Sequence, residues 1–195
     1  MKKYLLIILV IPLLAVECEY RKFEFDPTIN IDEVYIIDET GPFSEKQTIT
    51  RAQVLDALEI PETAKVTEFN IEKISLRVKV LEGNKAKLIL ASGRLQLGSS
   101  NPEIFNSYPI SLVGVDYAFI GLNDLIAAGV EKLKDKIESY VLKGDTEPFD
   151  IVVTGDTSPT AGELVNIVLD LKITGTVKYF DCVETLNLVG DECDI

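Results

Sequence analysis

The sequence has no histidine and no tryptophan, and its one methionine is the initiator. Without histidine the commonest general base and the commonest transition-metal ligand are missing. Ser-His-Asp and Cys-His nucleophilic sites are excluded with it. Without tryptophan, a carbohydrate-stacking platform has only the 7 Tyr and 8 Phe to draw on. Positive charge is also scarce: 19 Lys and Arg stand against 32 Asp and Glu, for a net charge of −13. Such a surface repels nucleic-acid phosphates and anionic lipid headgroups, so neither is expected as an electrostatic partner. The segments around Gly98 and Gly114 match neither the P-loop nor the dinucleotide-binding pattern, and no Gly-x-Ser-x-Gly elbow occurs. Carboxylates are too numerous for one pair to stand out as a glycosidase couple. Calcium is the metal that suits oxygen-rich loops. Its candidates, Asp38-Glu39-Thr40-Gly41 and Asp156-Thr157, lack the regular spacing of an EF-hand. The expectation is a protein without catalytic residues, cofactor or metal.

The N-terminus carries an address. Lys2 and Lys3 precede an apolar run of 13 residues, Tyr4 to Val16, interrupted only by Pro12. A helix needs roughly 20 residues to cross a bilayer core, so the run reads as a secretory signal. Leu14-Ala15-Val16-Glu17-Cys18 resembles the end of a bacterial lipoprotein signal, although Glu17 stands where that pattern has a small residue. Cys18 is then either a lipid-attachment site or lost with the signal by a cut after Cys18; a cut after Ala15 is the other possible cleavage point. The division expected is a signal over residues 1–18 and one domain over 19–195. Contact with a membrane is expected only through a lipid on Cys18.

Two further cysteines, Cys182 and Cys193, lie eleven positions apart. In an oxidising compartment the simplest pairing is a Cys182–Cys193 disulfide, worth roughly 3 kcal/mol by loop closure. Two free thiols and a two-cysteine metal site are the alternatives.

The clearest periodicity is that of Val165, Ile167, Leu169, Leu171, Ile173, Val177 and Tyr179, alternating with polar or less apolar positions. It predicts a long strand with one buried face, bent or bulged at Gly175. A second alternating strand runs from Ile74 to Val80. Gly83-Asn84 separates it from the apolar run Ala86–Ala91 and signals a hairpin. Weaker strands are predicted at Arg21–Phe25, Ile29–Asp38, Leu95–Leu97, Tyr108–Val115 and Phe149–Val153. The segment Asp156–Gly162 reads as a hairpin loop. Thr50 and Gln53 form a capping box for a short helix, Arg51–Leu58. Leu122, Ile126, Val130, Leu133, Ile137 and Val141 step by three and four, predicting an amphipathic helix over Leu122–Leu142, with Asn123 and Asp124 at its start and Gly144 at its end. Its nearly balanced charged face argues for docking on the sheet rather than on a membrane surface.

The pattern predicts a mainly β fold: an antiparallel sandwich, immunoglobulin-like in a broad sense, with one long and one short helix. The alternative is an α+β fold in which a curled sheet wraps the helix. Asn101-Pro102, the strand start Tyr108-Pro109-Ile110 and the closing strand through Gly175 resemble exported bacterial envelope β-sandwich proteins and, more distantly, the water-stress domain of late-embryogenesis-abundant proteins. That resemblance implies a non-catalytic surface or periplasmic role with an unidentified protein or envelope partner. Two functional expectations remain open. One is a structural or partner-binding protein with a packed core and no bound small molecule. The other is a carrier whose curled sheet encloses an apolar, lipid-like ligand.

Overall fold

The structure is a computed structural model. It describes the backbone of residues 19–61, 63–115, 117–185 and 191–192, and the side chains of the same range from 22 to 184. Over these residues the chain is mainly β, built as two antiparallel sheets with two helices. In order, the elements are β1 (Glu19–Phe25), β2 (Thr28–Thr40), β3 (Phe43–Ile49), α1 (Arg51–Leu58), β4 (Lys65–Val80), β5 (Leu88–Gln96), β6 (Glu103–Ser111), β7 (Ile120–Gly121), α2 (Ala127–Leu142), β8 (Phe149–Thr157), β9 (Leu164–Thr185) and β10 (Asp191–Glu192).

The larger sheet is organised around β9, which runs 22 residues. One side of β9 pairs along its length with β4. Its other side pairs first with β2 and then with β1, while β10 adds outside β1 and β7 outside β4. The change from β1 to β2 falls at Asp26-Pro27, where proline supplies no N–H; its carbonyl still accepts from the Val177 N–H. Val165, Ile167, Leu169, Leu171, Ile173 and Val177 are buried on the inner face of β9, as the alternation predicts. The irregularity expected near Gly175 lies in its partner. The β4 register shifts between Ile71 and Lys73, and Gly175 leaves room for the Phe69 ring and the Asn70 carbonyl. The smaller sheet has the order β3-β8-β5-β6, and its inner face supplies Ile49, Ile89, Leu95, Ile110, Phe149, Ile151 and Val153 to the common core.

Both predicted hairpins are corrected. β4 and β5 belong to different sheets, as do β8 and β9. Gly83 does make a tight turn, at φ 90°. Each connection, however, carries the chain across the sandwich, because both flanking strands need an inner partner from the opposite sheet.

α1 keeps its predicted bounds and its capping box: the Gln53 N–H donates to Thr50 Oγ1, and the Thr50 N–H donates to Gln53 Oε1. α2 begins later than predicted. Leu122 is bound to the edge of β4 through its N–H, which donates to the Ile74 carbonyl, so the helix starts at Ala127 and Asn123 and Asp124 lie outside it. Its buried face is Gly129, Leu133, Ile137 and Tyr140. Tyr140 is absent from the aliphatic stripe but belongs in the core, because its hydroxyl donates to the Glu147 carbonyl and lies 3.2 Å from that of Ile49. Burial and the nearby Asp145 push its phenol up to about 12.

Gly129 lets the start of α2 sit directly on the β6 backbone, since a β-carbon there would overlap the Glu103 carbonyl. Ala normally improves a helix by about 1 kcal/mol over Gly. Gly129→Ala is nevertheless expected to destabilise by about 1–2 kcal/mol net, because overpacking costs about 1–3 kcal/mol. Urea unfolding of the two proteins checks the sign.

Beyond the C-terminal end of α2, Asp145 accepts from Lys136 Nζ at 2.6 Å, from Ser139 Oγ at 2.9 Å and from the Glu147 N–H at 2.9 Å. The Lys136 bond is the largest of the effects that hold this carboxyl down at about 2. A depressed carboxyl stabilises the fold above its unfolded value of 3.8, and that contribution is lost as pH falls through about 2. Lys136→Gln is therefore expected to move the Asp145 titration back toward 3.8, read by carbon-detected NMR, whereas Lys132→Gln on the exposed face leaves it in place.

Candidate functional site

The inner strands fill the space between the sheets, but the two sheets part at one side. There β4 lies at the margin of the larger sheet and β6 is the last strand of the smaller. Between them is an apolar groove of about 410 Å³. Leu76 and Val78 of β4 form one wall, and Tyr108, Pro109, Ile110 and Ser111 of β6 form the other. The connection from β6 to β7 crosses over it through Val113, Gly114, Val115 and Ala118. Val113 and Ile120 stand at the mouth, 64% and 56% exposed.

The sequence pattern carries Tyr108–Val115 as one strand. The strand ends at Ser111, and the remaining apolar residues turn over to roof the groove. Leu112 is the pivot: it is buried, and its N–H donates to the Lys87 carbonyl at 2.8 Å.

A charged clamp on the outer face of the sheet holds the far end of this roof. Asp170 of β9 is 5% exposed and accepts from Arg77 Nε at 2.7 Å and Nη2 at 2.6 Å. The Tyr117 hydroxyl also donates to Asp170, at 3.1 Å. The guanidinium lies 4.1 Å from the Tyr117 ring centroid and 4.4 Å from that of Phe119, while Lys172 Nζ lies 4.4 Å from the Phe119 ring. A planar cation between two aromatic faces, with its fork on a buried carboxylate, gives the loop a rigid attachment. Sequence reasoning missed Tyr117 and Phe119 because their segment has no period. The alternation around Arg77 and Asp170 showed only that both face outward.

Of the predicted site cysteines, only Cys182 is among the described residues. Cys182 is exposed on β9 opposite Lys22 of β1. The predicted Cys182–Cys193 disulfide rests on a residue outside the described ones. Cys193 and Cys18, and with them the signal region, also lie outside the described residues. The two candidate calcium loops come to the same end of the sandwich, where the Gly41 N–H donates to the Glu163 carbonyl. Asp156 spends Oδ1 on the Thr157 N–H. Among the described residues no three His, Cys, Asp or Glu side chains converge to hold a metal ion, and no described helix is long and apolar enough to cross a membrane.

A second depression, between α1, the start of β4 and the end of α2, is lined by Arg51, Leu55, Asp56, Ile60, Val66 and Val141 among others. Arg51 Nε already donates to the Tyr140 carbonyl there. The groove beside β4 is the more apolar of the two.

No family model matches this chain, and no curated protein matches it. Among solved structures it is similar to the 60-mer BFDV capsid protein, at 7% identity and a TM-score of 0.35, over 87% of this chain and 98% of that one. It is similar also to the decameric BFDV capsid protein, at 8% identity and a TM-score of 0.34, over 82% of this chain and all of that one.

Proposed function

We propose that this is an exported, non-enzymatic protein of the cell envelope or its surroundings, which works by holding a partner in the groove between β4 and β6. The carrying observation is the groove itself: an apolar slot of about 410 Å³ at the side of the sandwich, with Val113 and Ile120 exposed at its mouth. Contiguous exposed apolar surface of this kind marks binding sites. The absence of histidine and of recognisable nucleophile motifs supports a binding role over a catalytic one.

A carrier of a lipid-like ligand is the second reading, favoured by the apolar walls and by a volume within the usual range for small-molecule pockets. Solvent extraction of gently purified protein separates the two. A stoichiometric lipid in the extract selects the carrier; protein that is empty in native mass spectrometry selects the partner-binding reading.

The address and the crosslink are proposals with their own tests. Intact mass of native material is expected to lack residues 1–15 at least; a mass that retains them refutes export through this signal. A diacylglycerol on Cys18 would identify a lipoprotein. Non-reducing peptide mapping is expected to join Cys182 to Cys193, and Cys193→Ala is then expected to lower stability by about 2–4 kcal/mol.

A further inference from the structure

The margin of β4 that borders the groove is an unfinished strand edge. Its ladder to β7 stops where Leu76 faces Ile120. The Leu81 N–H donates to Asn166 of β9. Backbone groups alternate sides along a strand, so the N–H and C=O of Val78 and Val80 point away from β9, toward the groove side. Among the described residues neither valine has a main-chain partner on that side. The contrast is the free edge of β2, where Gln47 Nε2 caps the Val34 carbonyl at 2.6 Å. Across the groove, β6 is also an edge strand and carries Pro109, a residue tolerated at such edges because it has no N–H to pair.

Charge at the groove's end adds a second constraint. The chain is strongly acidic, yet from Lys73 to Arg94 it carries Lys73, Arg77, Lys79, Lys85, Lys87 and Arg94 against Glu82 alone. Arg77 is held by Asp170. Lys79, Lys85 and Lys87 are exposed and have no ion pair among the described residues. The connection bearing Lys85 and Lys87 runs past the groove where Leu112 bonds to Lys87.

We propose that the groove receives an extended, acidic-flanked peptide segment of a partner protein. The segment adds as a strand to the Val78–Val80 edge, continuing β7. It sets alternate apolar side chains against Leu76, Val78 and Ile110 and places its carboxylates near Lys79, Lys85 and Lys87. Strand addition of this kind takes affinity from main-chain hydrogen bonds and specificity from alternate side chains. An acyl chain would satisfy the apolar walls but leave the Val78 and Val80 backbone groups unmatched. The inference rests on the groove being the partner site.

The probe is a library of random twelve-residue peptides displayed on phage, selected on the immobilised full-length secreted protein. The expected winners alternate apolar residues beside Asp or Glu. A synthesised winner is expected to bind about tenfold more weakly to a Lys79→Glu, Lys87→Glu double variant and to Val80→Pro, a loss equivalent to one or two hydrogen bonds. Val80→Pro removes an N–H that the ladder to β9 does not use, and because proline also fixes φ, circular dichroism and thermal unfolding show whether the variant folds. The charge variant, which alters exposed side chains alone, keeps the test decisive if it does not. Cis-parinaric acid is run in parallel on the same protein and on Ile120→Asp. Stoichiometric binding of that fatty acid, lost in Ile120→Asp and unaccompanied by selected peptides, overturns the peptide proposal and leaves the groove as a lipid slot. Winners insensitive to both the charge variant and Ile120→Asp, or no binding of either probe, overturn the peptide proposal together with the groove reading.

Discussion

Leu133→Ala is expected to lower the unfolding free energy by about 2–5 kcal/mol, the range for buried leucines whose surroundings collapse only in part. Leu133 is fully buried on α2, on the face shared with Ile137 and Tyr140. That face packs on β4, β6 and β5, strands drawn from both sheets. A cavity at this point therefore loosens the contact that ties the two sheets together at the end where α2 covers them. Urea unfolding followed by circular dichroism measures the effect. Lys132→Gln provides the control: Lys132 is exposed, its ion pair with Asp135 is a surface pair, and such pairs contribute about 0–1 kcal/mol. Equal, mild effects at Leu133 and Lys132 would mean that α2 is not docked through this face.

What was legible in the sequence was what is local. The short helix announced itself through Thr50 and Gln53, three residues apart, whose reciprocal bonds need no tertiary partner. The alternation of β9 survives because one continuous inner face is buried along it. The mainly β class follows from several such strands. β3, by contrast, reads Phe-Ser-Glu-Lys-Gln-Thr-Ile, with only its ends buried, and the long middle is an outer surface that looks like loop. The two hairpin errors have a common cause. Turn chemistry at Gly83 is local, but whether the strands it joins share a sheet depends on their partners, β9 for β4 and β8 for β5, which lie far along the chain.

The groove was illegible for a related reason. Leu76, Val78 and Ile110 look the same in sequence whether they meet core or empty space. The distinction arises because β7 is two residues long and its ladder to β4 ends at Leu76. The lysines at its end were visible as residues. Their meaning depended on the roof that brings Leu112 back to Lys87.

Glu33→Leu is expected to raise stability at pH 7 by about 2–4 kcal/mol, the reverse of the usual result for a buried position. Glu33 occupies an inward position of β2 between Ile31 and Tyr35, opposite Leu171, and is 8% exposed. Among the described residues no hydrogen bond or ion pair reaches its carboxylate. Burial raises its pKa above the ordinary 4.5, and the neighbouring Asp32 charge raises it further. A buried polar group without a partner costs about 1–3 kcal/mol, more when charged, and burying a leucine side chain in its place contributes about 1.5–3 kcal/mol; imperfect fit takes back part of the sum. The pH dependence has a definite sign. Because the folded pKa lies above the unfolded one, both states are protonated at low pH and the group then carries no ionisation penalty. As pH rises through 4.5, the unfolded chain gives up its proton first, so stability falls until pH passes the raised folded value and then levels off. Glu33→Gln isolates this effect: its stability advantage over the parent protein should shrink toward low pH, where the parent's carboxyl is neutral. Paired urea titrations at pH 4 and pH 7 measure it. An advantage of the same size at both pH values would mean that the carboxylate of Glu33 already has water or another partner in the folded protein.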